Sequence, residues 1–171
     1  MTDYKAIADG VIEKLFEFEK ATDWTKAKET REITTFYKHS PELDGRMFKM
    51  EFVIDAPAEK VVDVIMDIEK HQKWNSSIET LSTIEQINEV LFTLHNNVSV
   101  DHPACPPVKK YVRARNYPSG HLLYKGDPNK TRLVNINQSE MHLSPKALVE
   151  RLIPFLVPVY FNDLSKGVKE L

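Results

Sequence analysis

Cysteine occurs once in this 171-residue chain, as Cys105, so no intrachain disulfide can form and packing must hold the fold together. Positive charge is not in excess either. Lys and Arg number 23 against 25 Asp and Glu, a formal net charge of -2, which gives a nucleic-acid backbone little to bind. Glycine is scarce, at five residues, and none sits in a phosphate-cradling loop. At the first strand-to-helix turn, Asp55-Ala56-Pro57, the proline removes an amide that a phosphate would need. No uninterrupted apolar run reaches the roughly 18 residues that span a bilayer. Any membrane contact is therefore expected to be transient and peripheral.

Catalytic signatures are missing too. There is no Gly-x-Ser-x-Gly, and Cys105 stands between Ala104 and Pro106-Pro107 without a neighbouring base. His39, His71, His95, His102, His121 and His142 are dispersed and form no metal-ligand spacing. These features point away from an enzyme, a metal site or a cofactor. The opening MTDYKAIADGV has acids and a glycine where a secretory signal has basic and apolar stretches. Together with the lone cysteine, this places the expected location in the cytoplasm.

What is present suits one folded domain over residues 1–171, and we expect a monomer. Hydrophobic residues make up 42% and charged residues 28% of the chain. Residues 3–19 carry Ile7, Val11, Leu15 and Phe18 at helical spacing. Residues 24–37 suggest strands, and Ser40-Pro41-Glu42-Leu43-Asp44-Gly45 a turn. Residues 46–55 alternate Phe48, Met50, Phe52 and Ile54 with Lys49, Glu51 and Val53, the period of a strand. Pro57 opens a helix through Val61, Val62, Val64, Ile65 and Ile68. Residues 69–74 should turn the chain back into a strand pair over 78–94, followed by a loop over 97–107. Further strands are expected at 111–115, 121–124 and 131–141, with Pro118-Ser119-Gly120 as a turn between the first two.

Lys109, Lys110, Arg113 and Arg115 cluster around Tyr111, which suits either a solvated strand face or contact with anionic lipid headgroups. Along 131–141, Leu133, Asn135, Asn137, Ser139 and Met141 share one face. That mixture fits a cavity wall with a few hydrogen-bonding groups, or a strand partly exposed on both sides.

The most informative segment is the last. Ser144 should cap a helix opened by Pro145, and residues 147–160 are apolar through more than one narrow stripe. Leu148, Leu152, Phe155, Leu156 and Val159 are the expected lid over an apolar hollow. Pro154 and Pro158 should kink the segment into a gate. A kinked core helix with no cavity is the other reading.

Several phrases, in order along nearly the whole chain, resemble the StAR-related lipid-transfer (START) domain, nearest its small cytosolic sterol- and bile-acid-binding members. They are Phe36-Tyr37-Lys38-His39-Ser40-Pro41-Glu42-Leu43, Arg46-Met47-Phe48-Lys49-Met50-Glu51, Val53-Ile54-Asp55-Ala56-Pro57 and Lys73-Trp74-Asn75. Then follow Val100-Asp101-His102-Pro103, Cys105-Pro106-Pro107, Tyr111-Val112-Arg113, Asn116-Tyr117-Pro118-Ser119-Gly120 and Lys130-Thr131-Arg132-Leu133-Val134. The resemblance implies an α+β helix-grip fold, a curved antiparallel sheet around a long C-terminal helix. It also implies non-enzymatic binding and intermembrane transfer of a sterol, bile acid or similar hydrophobic lipid. Leu133, Asn135, Asn137 and Ser139 join the five lid residues as the expected lipid-binding set.

One departure stands out. Where the family pattern carries a loop and about two strands with a Ser-Pro-Arg-Asp-Phe-like stretch, Asn96-Asn97 here runs straight into Val98-Ser99-Val100. A middle shortened in this way leaves sheet backbone to be paired anew and opens one pocket wall. It also allows an alternative, an interaction or regulatory module of the same fold without lipid transfer.

Overall fold

The computed structural model describes residues 3–84 and 94–171. It begins with α1 (Tyr4–Lys20), held at its start by Asp3, whose carboxylate accepts from the Ala6 amide at 3.0 Å. Then come β1 (Thr25–Glu29), β2 (Ile33–His39), β3 (Arg46–Ile54), α2 (Ala58–Met66) and α3 (Ile68–Trp74). The rest comprises β4 (Leu94–Asn97), β5 (Arg115–Asn116), β6 (Ser119–Asp127), β7 (Lys130–Asn137), β8 (Ser139–Glu140) and α4 (Lys146–Glu170). Among the described residues, six strands form one antiparallel sheet in the order β1-β2-β3-β7-β6-β4, and β5 pairs with β8. This is the α+β helix-grip arrangement that the resemblance implied.

The pleat sends alternate residues to opposite faces, and helices cover both. On one face α1 lays Val11, Leu15 and Phe18 against Met47, Leu122, Val134 and Ile136. On the other, α2 and α4 meet Phe48, Met50, Phe52, Leu123 and Leu133. There Phe52 and Phe161 make an edge contact, ring centroids 5.3 Å apart. Cover on both sides explains why Met47 and Lys49, on the more polar side of the β3 alternation, are buried as well.

Buried Gln138 ties the β6, β7 and β2 ends together. Its Oε1 accepts from Ser40 Oγ at 2.6 Å, and its Nε2 donates to Pro118 O at 2.7 Å. Its own amide donates to Ser119 Oγ at 2.9 Å and its carbonyl accepts from the Tyr117 amide at 2.9 Å, so each polar group of this core residue has a partner.

Several local expectations are corrected. Residues 69–74 lie in a helix, α3, because Asp67 caps it by accepting from the Lys70 amide at 3.0 Å. Residues 78–84 hold no strand, and the remainder of the expected pair lies outside the described residues apart from β4. The 111–115 strand shrinks to Arg115–Asn116. Arg113 Nη2 instead donates to Cys105 O and Pro106 O at 2.7 and 3.0 Å, closing a loop.

Ser119 and Gly120 belong to β6 rather than to a turn. Glycine is required there by close approach, since a Cβ would stand 2.3 Å from His95 O. Pro145, not Ser144, occupies the N-cap of α4, with no side-chain hydrogen bond.

Candidate functional site

The helix α4 decides which side chains can meet a ligand. Ile153, Val157, Tyr160, Phe161, Leu164 and Val168 recur at three- and four-residue spacing and turn toward the sheet and α2–α3. The expected lid residues lie on the opposite side. Leu152 is 47% exposed and Phe155 64%, and Leu148, Leu156 and Val159 are exposed with them. This corrects the expected orientation. The apolar arc is wider than one face, and only the part that meets the sheet and α2–α3 is buried. The outward row is left as an apolar ridge, with Lys28 Nζ 4.6 Å from the centre of the Phe155 ring.

The other expected site residues face inward. Leu133 is buried in the main core, and Asn135 sits beside His121. Asn137 and Ser139 line a cleft of about 80 Å³ at the start of α4, together with Phe48, Met141, Val149 and Ile153. Glu150 closes its rim by accepting from the Arg46 amide at 3.1 Å. The structure thus gathers Asn137 and Ser139 in one place, Leu133 and Asn135 deeper along the same face, and the five α4 residues elsewhere.

A polar group that pattern reading passed over occupies the inner face of β4 and β6. His95 stands directly across from His121 in the ladder, their Nδ1 atoms 3.0 Å apart. His121 Nε2 receives Tyr160 Oη at 2.8 Å and Asn135 Nδ2 at 2.9 Å. With His121 Nε2 as the acceptor, its Nδ1–H donates to His95 Nδ1 and the His95 proton sits on Nε2; the opposite tautomer of His121 would turn Nε2–H toward Tyr160 Oη.

Burial holds both imidazoles neutral, His95 with its pKa lowered to about 4 and His121 well below its usual range. Burial likewise keeps the Tyr160 phenol protonated by raising its pKa. Asn97, two residues beyond His95 on the same strand face, has a buried Oδ1 with no hydrogen-bond partner among the described residues.

His71 extends the group: its Nδ1 lies 2.7 Å from Ile65 O, and its ring packs on Trp74, which meets Tyr160 edge-on at 5.4 Å. The histidines are 24 to 50 residues apart in sequence, so only strand register reveals the cluster. A histidine inside the apolar run Gly120-His121-Leu122-Leu123 was the one local signal.

No group of three or more potential metal ligands occurs among the described residues. Nor is any helix there long and apolar enough to cross a membrane. The basic cluster around Tyr111 does not form a strand face. Lys110 lies over the Tyr111 ring at 5.4 Å, and Arg113 is engaged with loop carbonyls.

The START domain model matches residues 17–97 and 93–171. Among curated proteins, the chain is 23% identical over 201 residues to StAR-related lipid transfer protein 5 of Mus musculus, covering 95% of this chain and 94% of that one. It is 22% identical over 204 residues to StAR-related lipid transfer protein 6 of Homo sapiens, covering 98% and 92%. The solved structure of human StAR-related lipid transfer protein 5 matches with a TM-score of 0.82 at 22% identity, covering 97% of this chain and 96% of that one, a likeness of fold. The two family matches overlap at residues 93–97, a range that includes β4 (Leu94–Asn97), and the aligned lengths exceed the 171 residues of this chain. That junction coincides with the passage from Asn96-Asn97 into Val98.

Proposed function

This chain belongs to the START-domain family, and on that premise we propose that it binds a sterol or similar hydrophobic lipid under α4 and carries it between membranes from the cytoplasm. A START domain is a non-catalytic lipid-binding module. The observation that carries the transfer reading is the two-sided helix. One face of α4 closes on the sheet through Val157, Phe161 and Leu164, while Leu148, Leu152, Phe155, Leu156 and Val159 present apolar surface outward. Such a ridge suits shallow insertion into a bilayer. Lys28, Lys146 and Arg151 around it can meet headgroup phosphates.

The cleft of about 80 Å³ is smaller than the roughly 300 Å³ at which small-molecule pockets begin. Loading therefore requires the first half of α4 to swing from the sheet, and Pro154 and Pro158, which leave intrahelical hydrogen bonds unmade, mark where it hinges. Removing the outer row into lipid while the inner row opens couples membrane contact to loading.

The test incubates the protein with phosphatidylcholine vesicles containing tritiated cholesterol, then offers acceptor vesicles. Saturable extraction followed by delivery is expected. A folded protein that extracts no sterol overturns the proposal and favours an interaction module of the same fold.

A further inference from the structure

We propose that Ser76 is a phosphorylation site for an acid-directed protein kinase, and that a phosphate there loosens the junction of α3 with the last third of α4. The inference stands apart from the lipid-binding reading and needs no ligand.

Ser76 follows α3 directly, just past the Asn75 C-cap. Its amide donates to Asp163 Oδ2 at 3.1 Å, and its Oγ–H donates to the same oxygen. Asp163 lies on α4 next to buried Leu164 and one turn before Gly167, which packs on Trp74. Both donors of one serine therefore fasten the end of α3 to a helix 87 residues away in sequence.

The serine is within reach of an enzyme. Ser76, Ser77, Glu79 and Thr80 are exposed, and residues 75–84 hold neither helix nor strand, so this stretch can lie extended in a kinase cleft. On the other side of Ser76 the chain is helical and Trp74 is buried, which leaves recognition to the downstream residues. There the sequence is selective. A serine or threonine three residues before an acid occurs twice in the chain, at Ser76 with Glu79 and at Ser82 with Glu85. Charge placed at a fixed distance from the acceptor is how kinases discriminate substrates. Of the two serines, Ser76 is the one whose hydroxyl holds an interhelix contact.

In the transfer, Ser76 Oγ attacks the γ-phosphorus of ATP and its proton passes to the catalytic aspartate of the kinase. The new O–P bond forms as the bond between the β,γ-bridging oxygen and the γ-phosphorus breaks, and ADP leaves. The ester oxygen then has no hydrogen to give Asp163, and about two negative charges arrive beside that carboxylate. Lys73, Lys166 and Glu170 line the same groove. Both lysines are exposed and screened by water, whereas Asp163 touches the serine directly, so repulsion outweighs their attraction.

The experiment treats folded Ser82→Ala protein with a purified casein kinase, magnesium and labelled ATP, maps the phosphate by peptide mass spectrometry and follows thermal unfolding. Incorporation at Ser76 is expected, and its loss on adding Ser76→Ala. The phosphorylated protein should melt about 3 °C or more below the unmodified one. Adding Asp163→Asn should shrink that shift to about 1 °C or less, which a role for Ser76 in packing alone would not do. Asp163→Ser serves in the same way if Asp163→Asn does not fold.

No phosphate at Ser76 overturns the site. A phosphorylated protein that melts unchanged or higher, or a full shift retained without the Asp163 carboxylate, overturns the loosening. The lipid-binding reading is untouched by any of these results, since sterol uptake is not the readout.

Discussion

Tyr160 Oη stands 2.8 Å from His121 Nε2, and the two rings stack with centroids 5.9 Å apart. This contact binds α4 to the far half of the sheet, where apolar packing gives way to Asn135, His95 and Asn97. A hydrogen bond at that place is directional, so it fixes the helix rotation that sends Val157 and Leu164 inward and Phe155 outward.

Tyr160→Phe should therefore destabilise the protein by about 1 kcal/mol, the typical worth of one hydrogen bond, while keeping the ring stack. Urea unfolding measures it. A loss below about 0.3 kcal/mol would show that the hydroxyl does not hold the helix.

Acidification should unfold the protein in a window set by the histidines. An unfolded histidine takes its proton near pH 6.5, whereas folded His95 takes one only near 4 and folded His121 is also held neutral. Between those limits the unfolded chain binds more protons, so stability falls as pH drops. The slope is up to about 1.4 kcal/mol per pH unit for each histidine. The groups around the pair are His71, Tyr160 and Asn135, with no carboxylate hydrogen-bonded to either ring among the described residues. Urea midpoints at pH 7.5, 5.5 and 4.5 should fall in that order; a flat profile would contradict buried neutral imidazoles.

Charge placed on the outer ridge should separate membrane contact from folding. Leu152→Asp with Phe155→Asp is expected to shift stability by about 1 kcal/mol or less, because both sites are exposed. Co-sedimentation with phosphatidylcholine vesicles containing phosphatidylserine should drop at least fivefold. Undiminished sedimentation would move the membrane-facing surface away from α4.

Gly167 is expected to tolerate no side chain. A Cβ there would stand 2.4 Å from Trp74 Cβ, and Trp74 is itself fixed by its indole N–H donating to Val64 O at 2.9 Å. Gly167→Ala should cost about 1–3 kcal/mol through overpacking, despite the better helix propensity of alanine. Thermal unfolding checks the sign, and stabilisation would mean that α3 and α4 can slide apart freely.

Much of the fold was legible because it depended on local rules. Helical spacing marked α1 and α4, alternation marked β3, and Pro57 marked the start of α2. Short elements were not legible: α3 depended on the Asp67 cap, and the expected strand at 111–115 yielded to carbonyl contacts made by Arg113. The candidate site was read less well. Asn137 and Ser139 reached a cleft, but His95, His121 and Tyr160 had looked like scattered residues, because their meeting depends on which residue of β4 stands across from which of β6.

The sequence by itself determined the element order, the long apolar terminal helix and the likeness to lipid-transfer domains, since these rest on periodicity and short phrases carried within the chain. Tertiary structure alone decided which side of that helix is buried. An apolar arc wider than the available contact cannot choose its own face; the choice fell to Phe52, Trp74 and His121, which receive Phe161 and Tyr160 and leave Leu152 and Phe155 to the solvent.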